Sequence, residues 1–307
     1  MTRTPASQSV LSPEPAPHGA AAPARIRVAF QGEPGAISEE AIVRLWGGTA
    51  ESVPMRSFDD VMEAAQFGRV DYGLLPIEST LIGGVDVAYD LLALYDELWV
   101  VAETVVAIHL NLLALPGATL SSIRMLRSHP IMLAQCAYFL ERHRQIRAYP
   151  SWDTAGAARE VIERGDRTWA AAAGPLAADR FGLVTLAERI EDRSDTMMRF
   201  LAVAPEPTPL GPGVPARTAV LCILPQRAGA LLQLFEPLAG RALNVSHFTS
   251  RPTRDPWRYQ YFLEFEHISD DPRAAEAVRA IRHACTVSRL LGTFAQSPDT
   301  PEPPAQL

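Results

Sequence analysis

The chain has 307 residues, a formal net charge of −7 and 28 basic residues, all of them arginine because lysine is absent. The lack of lysine excludes Schiff-base and pyridoxal-phosphate enzymes and P-loop nucleotide hydrolases, each of which needs one. Any fixed positive charge directed at an anionic ligand must therefore come from arginine. The pI of about 5.6 and the scattered charge argue against nucleic-acid binding.

Length and cysteine usage indicate a soluble protein of about two domains. The three cysteines are widely spaced, with no CxxC motif: Cys136, Cys222 and Cys285. We interpret them as small apolar residues in a reducing cytoplasm, neither disulfide-bonded nor metal-binding. No apolar run is long enough to span a membrane, and the N-terminus lacks the apolar core of a signal peptide. Neither a cofactor nor a metal is expected.

Proline is concentrated in three stretches that divide the chain. Residues 1–25 and 296–307 are predicted to be disordered tails. Residues 204–216 (APEPTPLGPGVPA) are predicted to be an interdomain linker. The two domains are therefore expected at 26–203 and 217–295.

Strand and helix signals alternate in the first domain, which indicates an α/β fold with largely parallel sheets. Helix formation is expected to begin near Ser38, a plausible N-cap. Strands are expected at 26–30, 71–77, 103–115 and 168–173, and helices at 58–68, 86–96, 130–144 and 154–164. Ligands bind at the carboxyl ends of strands in such sheets, so the loops after Phe30, Ile77 and Leu126 are candidate site loops.

The second domain has the element order βαββαβ, which is a ferredoxin-like plan. A strand over 218–224 precedes a helix over 229–240 with apolar residues on one face. The stretch 258–266 alternates as a strand does, and Asp271-Pro272 opens the second helix. No nucleophile or metal cluster is evident in this domain, so we expect it to bind a ligand and to pair with another copy.

Motifs in both domains, in order, resemble those of the prephenate dehydratase family with its C-terminal ACT domain. In the first domain these are FQGEPGAISEEA (30–41), YGLLPIEST (72–80), GGVDVAYDLL (83–92), SHPIMLAQC (128–136), DTAGAA (153–158) and RFLAV (199–203). In the second they are LPQRAGALLQLF (224–235), SRP (250–252) and LLGTF (290–294). No single motif is specific, but their order and spacing together are.

The resemblance implies a two-lobed catalytic domain, like a periplasmic binding protein, with the substrate between the lobes. The family reaction converts prephenate to phenylpyruvate, releasing water and carbon dioxide, on the route to L-phenylalanine. The resemblance also implies a homodimer or homotetramer in which the ACT domain binds L-phenylalanine or a similar amino acid. Effector residues are expected at Gly229, Ala230, Leu231, Asn244, Ser250, Arg251 and Pro252.

Prephenate is a dianion with a ring hydroxyl as leaving group, so a site needs donors for carboxylates and an acid near the departing oxygen. Arg199 is the best cationic candidate because its fork can hold a carboxylate with two bonds. Thr154, Ala155 and Gly156 at a helix start could offer backbone N–H groups to an anion. The remaining candidates are Glu78, Ser79, Thr80, Ser128, His129, Thr196, Met198 and Phe200. Three of these residues could instead have purely structural roles: Thr154 in an ordinary helix cap, His129 as a structural histidine and Glu78 as an anchor for its loop.

Several polar positions of the family motifs are apolar in this chain. Met198 stands where the family has the threonine regarded as catalytic, and Thr196 lies two residues earlier. Ile37, Leu110 and Ile131 replace a tyrosine, a histidine and a glutamine. In addition, Ser79 stands at an asparagine and Thr249 at the glutamate of the ACT motif. The loop-shaping glycines and prolines remain, so the pattern indicates a retained pocket with altered chemistry.

Three functions are therefore compatible with the sequence. The first is a prephenate dehydratase of phenylalanine biosynthesis, weakened by Met198 and acting on prephenate or arogenate. The second is a non-aromatising prephenate decarboxylase of specialised metabolism. The third is a catalytically inert protein that senses an amino acid through its ACT domain.

Overall fold

Residues 25–298 are described by a computed structural model of the chain, and both predicted tails lie mostly outside this range. The first lobe is built on a six-stranded sheet with the order β2-β1-β3-β11-β5, in which β4 pairs with β3. Its strands are β1 (Ile26–Gln31), β2 (Ala50–Met55), β3 (Tyr72–Ser79), β4 (Gly83–Gly84), β5 (Trp99–Ala107) and β11 (Met197–Ala204). Strands β1, β2 and β3 are parallel, whereas β11 is antiparallel to both of its neighbours.

The second lobe is a five-stranded sheet with the order β10-β6-β9-β7-β8. Its strands are β6 (Asn111–Ala114), β7 (Met125–Ser128), β8 (Arg147–Pro150), β9 (Trp169–Ala173) and β10 (Val184–Ala187). The chain crosses between the lobes twice, at 108–110 and at 188–196. The single strand expected over 103–115 is therefore two strands, one in each lobe, and both sheets are mixed.

Helices cover both sheets, and several of them begin or end at recognisable signals. They are α1 (Ile37–Trp46), α2 (Phe58–Gln66), α3 (Asp86–Leu94), α4 (Pro130–Ala134), α5 (Ala137–Arg142), α6 (Thr154–Arg164) and α7 (Pro175–Phe181). Ser57 and Asp60 form a capping box at the start of α2, and Gly165 ends α6 in a left-handed conformation.

Two helix predictions were wrong in detail. Helix α1 begins one residue before Ser38, and its N-cap is Ala36, which makes no side-chain hydrogen bond. The Glu39 carboxylate instead accepts the N–H of Gly35 at 2.6 Å. The helix expected over 130–144 is interrupted at Gln135 and Cys136, so that it forms the two short helices α4 and α5.

The second domain has the predicted βαββαβ order. Its elements are β12 (Pro215–Ile223), α8 (Ala230–Ala239), β13 (Asn244–Pro252), β14 (Tyr259–Ile268), α9 (Pro272–Ala284) and β15 (Val287–Ala295). They form one antiparallel sheet with the order β13-β14-β12-β15. One face carries Leu263 and Phe265 and packs against both helices, with Leu234 and Ile281 in the same apolar cluster.

The other face of this sheet packs directly on the first lobe. Phe262, Leu291 and Phe294 are buried in one cluster with Val100 and residues of α2 and α3. Gly292 lies so close to Val100 that a Cβ at position 292 would collide with the Val100 carbonyl oxygen. The two domains therefore share one continuous apolar core. Among residues 25–298, no helix has the length and apolar character needed to cross a membrane.

Candidate functional site

The contact between the two lobes is apolar where the family pattern is polar. Ile37 and Met198 pack against core residues of both lobes, and Leu110 lies fully buried in the second-lobe cluster that they contact. Three separate departures from the family pattern thus meet in one place, which we call the interlobe cluster: Ile37, Leu110 and Met198. The contact between the lobes is therefore apolar at these three positions.

Three further candidates lie beside Met198. Ser79 is the cross-strand partner of Met198 and is 5% exposed, and its hydroxyl oxygen accepts the N–H of Leu81 at 3.1 Å. Phe200, two residues along β11, is buried in the first-lobe core. Thr196 is buried just before β11, and its carbonyl accepts the N–H of Ile108 at 2.8 Å. Thr196 therefore lies where both interlobe crossings meet.

The strand ends of the second lobe hold Ser128 and His129, and both have structural partners. The Ser128 hydroxyl is fully buried and donates to the Ala172 carbonyl at 2.6 Å. The His129 ring caps α4 by accepting the N–H of Ile131 at 3.3 Å. These contacts agree with a structural role for His129, the alternative that the sequence left open, and they fix the loop after β7.

Helix α6 begins at the predicted anion-binding turn, but Asp153 occupies this position. Its carboxylate accepts the N–H groups of Thr154 at 2.6 Å and Gly156 at 3.4 Å. The same carboxylate accepts the N–H of Glu33 from the first lobe at 3.3 Å. Ala155 between them is fully buried. Asp153 therefore caps α6 and also accepts a hydrogen bond that links the two lobes.

Arg199 points away from the interlobe cluster, toward the second domain. Its Nε donates to Glu103 at 2.7 Å and its Nη2 to Glu264 at 2.6 Å, and all three side chains are at least nine-tenths buried. Burial lowers the pKa of Arg199, but the two carboxylates outweigh burial and raise it above its ordinary value. Glu103 also accepts Nη1 of Arg217 at 3.1 Å. In this arrangement Arg199 is part of an interdomain ion network.

Glu78 and Thr80 lie on the same side of the sheet as Arg199. Both line a cavity between the two domains, to which Arg199 also contributes. Glu78 is 3.5 Å from Nδ1 of His247 in the second domain, and Nε2 of that histidine is 2.7 Å from the Tyr89 hydroxyl. Thr80 accepts the N–H of Met197 at 2.9 Å. The predicted substrate-binding residues are thus divided between two faces of the first-lobe sheet.

The sequence did not single out Glu40, whose surroundings are unusual for a carboxylate. Its Oε1 is buried without a hydrogen-bond partner against Gly174 of the second lobe. Burial raises the pKa of Glu40 to about 7, the N–H of Leu176 partly opposes this rise, and neighbouring Glu39 adds to it. Glu39 itself pairs with Arg180 at 2.6 Å. No sequence signal marks Glu40, because its burial depends on a glycine far along the chain.

The predicted effector residues lie at opposite ends of the second-domain sheet. Gly229, Ala230 and Leu231 open α8, with Gly229 in a left-handed conformation. Ser250, Arg251 and Pro252 end β13 at this same end, since Arg251 and Ile223 both pair with Gln260. Arg251 pairs with Asp86 and Asp90 of α3.

Asn244 starts β13 at the other end of the sheet, roughly 20 Å away along the strand. Its amide donates to Glu266 at 2.8 Å. One chain therefore does not bring the whole predicted effector set together. Within residues 25–298, no group of three or more His, Cys, Asp or Glu side chains is placed to hold a metal ion.

Comparison with known proteins identifies both domains. The prephenate dehydratase model matches residues 28–208, and the ACT domain model matches residues 218–283. The chain is 35% identical over 280 residues to arogenate dehydratase/prephenate dehydratase 2 of Arabidopsis thaliana, covering 88% of this chain and 73% of that protein. It is 31% identical over 285 residues to prephenate dehydratase of Mycobacterium tuberculosis, covering 89% and 88%.

Two solved structures share the complete fold, each with a TM-score of 0.82. One is prephenate dehydratase from Arthrobacter aurescens in complex with L-Phe, at 30% identity over 90% of this chain and 92% of that one. The other, GqqA, is described as a novel type of quorum-quenching acylase, at 29% identity over 89% and 98%. One fold thus carries different described activities, so the reaction must be argued from the site.

Proposed function

The chain belongs to the prephenate dehydratase family, and we propose that it decarboxylates and dehydrates prephenate to phenylpyruvate in L-phenylalanine biosynthesis. The observation that carries this proposal is the match of both family models, in order, over nearly all of the described chain. The reading as a lyase regulated through its ACT domain follows from the same match. We propose the cytoplasm as its location.

The reaction breaks two bonds on opposite sides of the prephenate ring. The bond to the ring carboxylate breaks, carbon dioxide leaves and the electron pair enters the ring. The carbon–oxygen bond to the ring hydroxyl then breaks, and the departing oxygen takes a proton to leave as water. An enzyme accelerates this step with a hydrogen-bond donor near that oxygen.

We propose that the substrate binds between the lobes, beside the interlobe cluster. Thr196 is the hydroxyl that we assign to the departing oxygen, since it is buried two residues before Met198, where the chain crosses between the two lobes. Ser79 and the turn at Thr154 remain proposed contacts for the polar groups of the substrate. Opening the lobes would break the contacts of Glu33 with Asp153 and Arg159 and would expose the start of α6 to a ligand. Asp153 would still accept the N–H groups of Thr154 and Gly156, so the side chains of this turn are the groups that we propose meet the ligand.

Arg199 is better explained as a positioning residue than as a clamp on the substrate carboxylate. It is held by Glu103 of β5 and Glu264 of β14, and it shares β11 with Met198. The network therefore fixes the strand that carries the interlobe residues. It also joins that strand to the ACT domain, so a ligand that moves the ACT sheet acts directly on β11.

A direct assay separates the candidate reactions. Purified protein is incubated with prephenate and, separately, with arogenate, and carbon dioxide and phenylpyruvate or phenylalanine are both measured. Equal release of carbon dioxide and aromatic product supports the dehydratase. Carbon dioxide without aromatic product would support a non-aromatising decarboxylase, which Met198 at the threonine position favours as the second candidate. No turnover of either substrate would reject both enzyme functions and would favour the catalytically inert amino-acid sensor.

We propose that the effector site is completed by a second copy of the chain in a homodimer or homotetramer. The support is the separation of Asn244 from Gly229 within one chain. Light scattering with and without L-phenylalanine, together with titration of Asn244→Ala, tests this. An assembly that binds L-phenylalanine and loses affinity with the variant is expected. A monomer that binds it with unchanged affinity would contradict the proposal.

A further inference from the structure

The interdomain cavity has the size and the lining of a small-molecule site. Its volume is about 500 Å³, within the range of about 300–1,000 Å³ typical of ligand pockets. Strands β3, β5 and β11 form one wall, and the ACT strands form the other. Val105 and Val245 supply apolar surface, while Glu78, Arg217, Ser246 and Glu266 supply polar groups.

Two polar atoms in this lining are buried without a hydrogen-bond partner. One is Nε of Arg217, whose side chain is only 7% exposed, and the other is the Ser246 hydroxyl oxygen. A buried donor without an acceptor costs about 1–3 kcal/mol, so both atoms favour an incoming oxygen. Ser246 is also the extra residue of a β-bulge, because Val245 and His247 pair with consecutive residues of β14. Bulges redirect a side chain at such sites.

Charges around the cavity favour a ligand that carries both signs. The lining holds Arg199 and Arg217 against Glu78 and Glu266, and Glu103 and Glu264 add two carboxylates directly behind the arginines. This excess of carboxylates disfavours a plain anion. The two terminal nitrogens of Arg217 each donate to a carboxylate, Glu103 or Glu266, whereas its Nε has no acceptor. Glu78 is 39% exposed and can meet an ammonium group.

We propose that this cavity binds a free α-amino acid, in a site that shares Asn244 with the predicted effector set but is separate from the turn at the start of α8. The ligand carboxylate accepts from Arg217 Nε and the Ser246 hydroxyl. Its ammonium group lies against Glu78, and its side chain lies against Val105 and Val245. The inference goes beyond the proposed reaction because it concerns binding alone, and its test needs no turnover.

Such a ligand would act on the catalytic domain without passing through a subunit interface. The Arg217 that binds it shares Glu103 with Arg199, and Arg199 belongs to the strand that carries Met198. Binding therefore adds hydrogen bonds to the ion network that already joins the two domains.

Amide hydrogen exchange of the full-length protein with L-phenylalanine, L-tyrosine or L-methionine tests the site. At least one of these amino acids is expected to slow exchange at 78–80 and 245–247. Phenylpyruvate lacks the ammonium group and phenethylamine lacks the carboxylate, so neither should protect these segments. Ser246→Leu, which removes the hydroxyl and occupies part of the cavity, should weaken binding by about tenfold or more. Leu231→Arg, at the start of α8, is the matched control and should retain this protection.

Protection confined to 227–233, or affinity in Ser246→Leu equal to that of the wild type, would overturn the proposal. So would the absence of binding by all three amino acids, or equal binding of phenylpyruvate. If circular dichroism shows that Ser246→Leu does not fold, Ser246→Ala replaces it, with an expected weakening of about threefold or more.

Discussion

Met198 and Arg199 are consecutive residues of β11, yet their side chains belong to different interfaces of the protein. Met198 packs between the two catalytic lobes, and Arg199 is ion-paired with Glu264 of the ACT domain. Successive residues of a strand face opposite sides of its sheet, so one strand connects both interfaces. A change at either interface that moves β11 therefore also moves the β11 residue at the other interface.

Arg199→Met should destabilise the protein by about 3–5 kcal/mol, because it leaves Glu103 and Glu264 buried with one partner fewer. Urea denaturation measures this loss. Arg199→Met combined with Glu264→Met should recover part of it, since the second change removes one of the uncompensated carboxylates.

Kinetics of Arg199→Lys distinguish the positioning role from a substrate clamp. A positioning residue should lower kcat and leave KM for prephenate nearly unchanged. A rise in KM at unchanged kcat would show that Arg199 binds the substrate carboxylate, as the sequence motif had suggested.

Met198→Thr should preserve or raise aromatic product formation, because it places a hydroxyl at the position where the family motif has a threonine, beside the substrate site that we propose. One good transition-state donor is worth about 10²–10³ in rate, which sets the upper limit of the gain. The measurements are the rate of phenylpyruvate formation and the ratio of phenylpyruvate to carbon dioxide released. Met197→Thr on the opposite face is the control and should not change that ratio. A sharp fall in the ratio for Met198→Thr would assign the methionine a positive role.

The sequence predicted the two-domain α/β plan and the βαββαβ order of the ACT domain because both depend on local patterning. It did not predict the break at 108–110, since the residues there, Ile-His-Leu, include no glycine, proline, asparagine, aspartate or serine that would mark a turn. It also missed the second buried face of β14. The alternation of Tyr261, Leu263 and Phe265 predicts one core face, but Phe262 and Glu264 between them are buried against the catalytic domain.

The candidate residues were found by motif, but their grouping was not. A motif gives the order of Glu78, Ser79 and Thr80, whereas strand register decides that Ser79 faces Met198 and its neighbours face the ACT domain. Likewise, the buried ion network joins residues that are distant in sequence, such as Arg199 and Glu103, so local sequence patterns cannot predict it.

Gly292→Ala should destabilise the contact between the domains, because its Cβ would collide with the Val100 carbonyl oxygen near the start of β5. Overpacking of this kind costs about 1–3 kcal/mol. Limited proteolysis near 205–214 and thermal unfolding measure the effect. Gly211→Ala is the matched control, since nothing lies within 4 Å of a Cβ there. Equal stability of the two variants would mean that β15 can shift away from β5.

Glu40 should make the protein less stable as the pH rises from about 4.5 to about 7. Burial raises the pKa of the folded-state carboxyl from 4.5 to about 7, so the unfolded chain loses this proton first. The unfolded state binds fewer protons within this window, and the free energy of unfolding therefore falls with pH. A shift of this size corresponds to about 3 kcal/mol. Glu40→Gln carries no such proton and should not show this fall.

Urea denaturation at pH 5 and at pH 8 of the wild type and Glu40→Gln measures the difference directly. From pH 5 to pH 8, the free energy of unfolding of Glu40→Gln should rise relative to that of the wild type by about 3 kcal/mol, since every other titrating group is common to both. Glu51→Gln, at an exposed carboxylate whose side chain is 54% accessible, is the control and should follow the wild type. Parallel behaviour of Glu40→Gln and the wild type would show that Glu40 ionises normally, with water reaching it between the lobes.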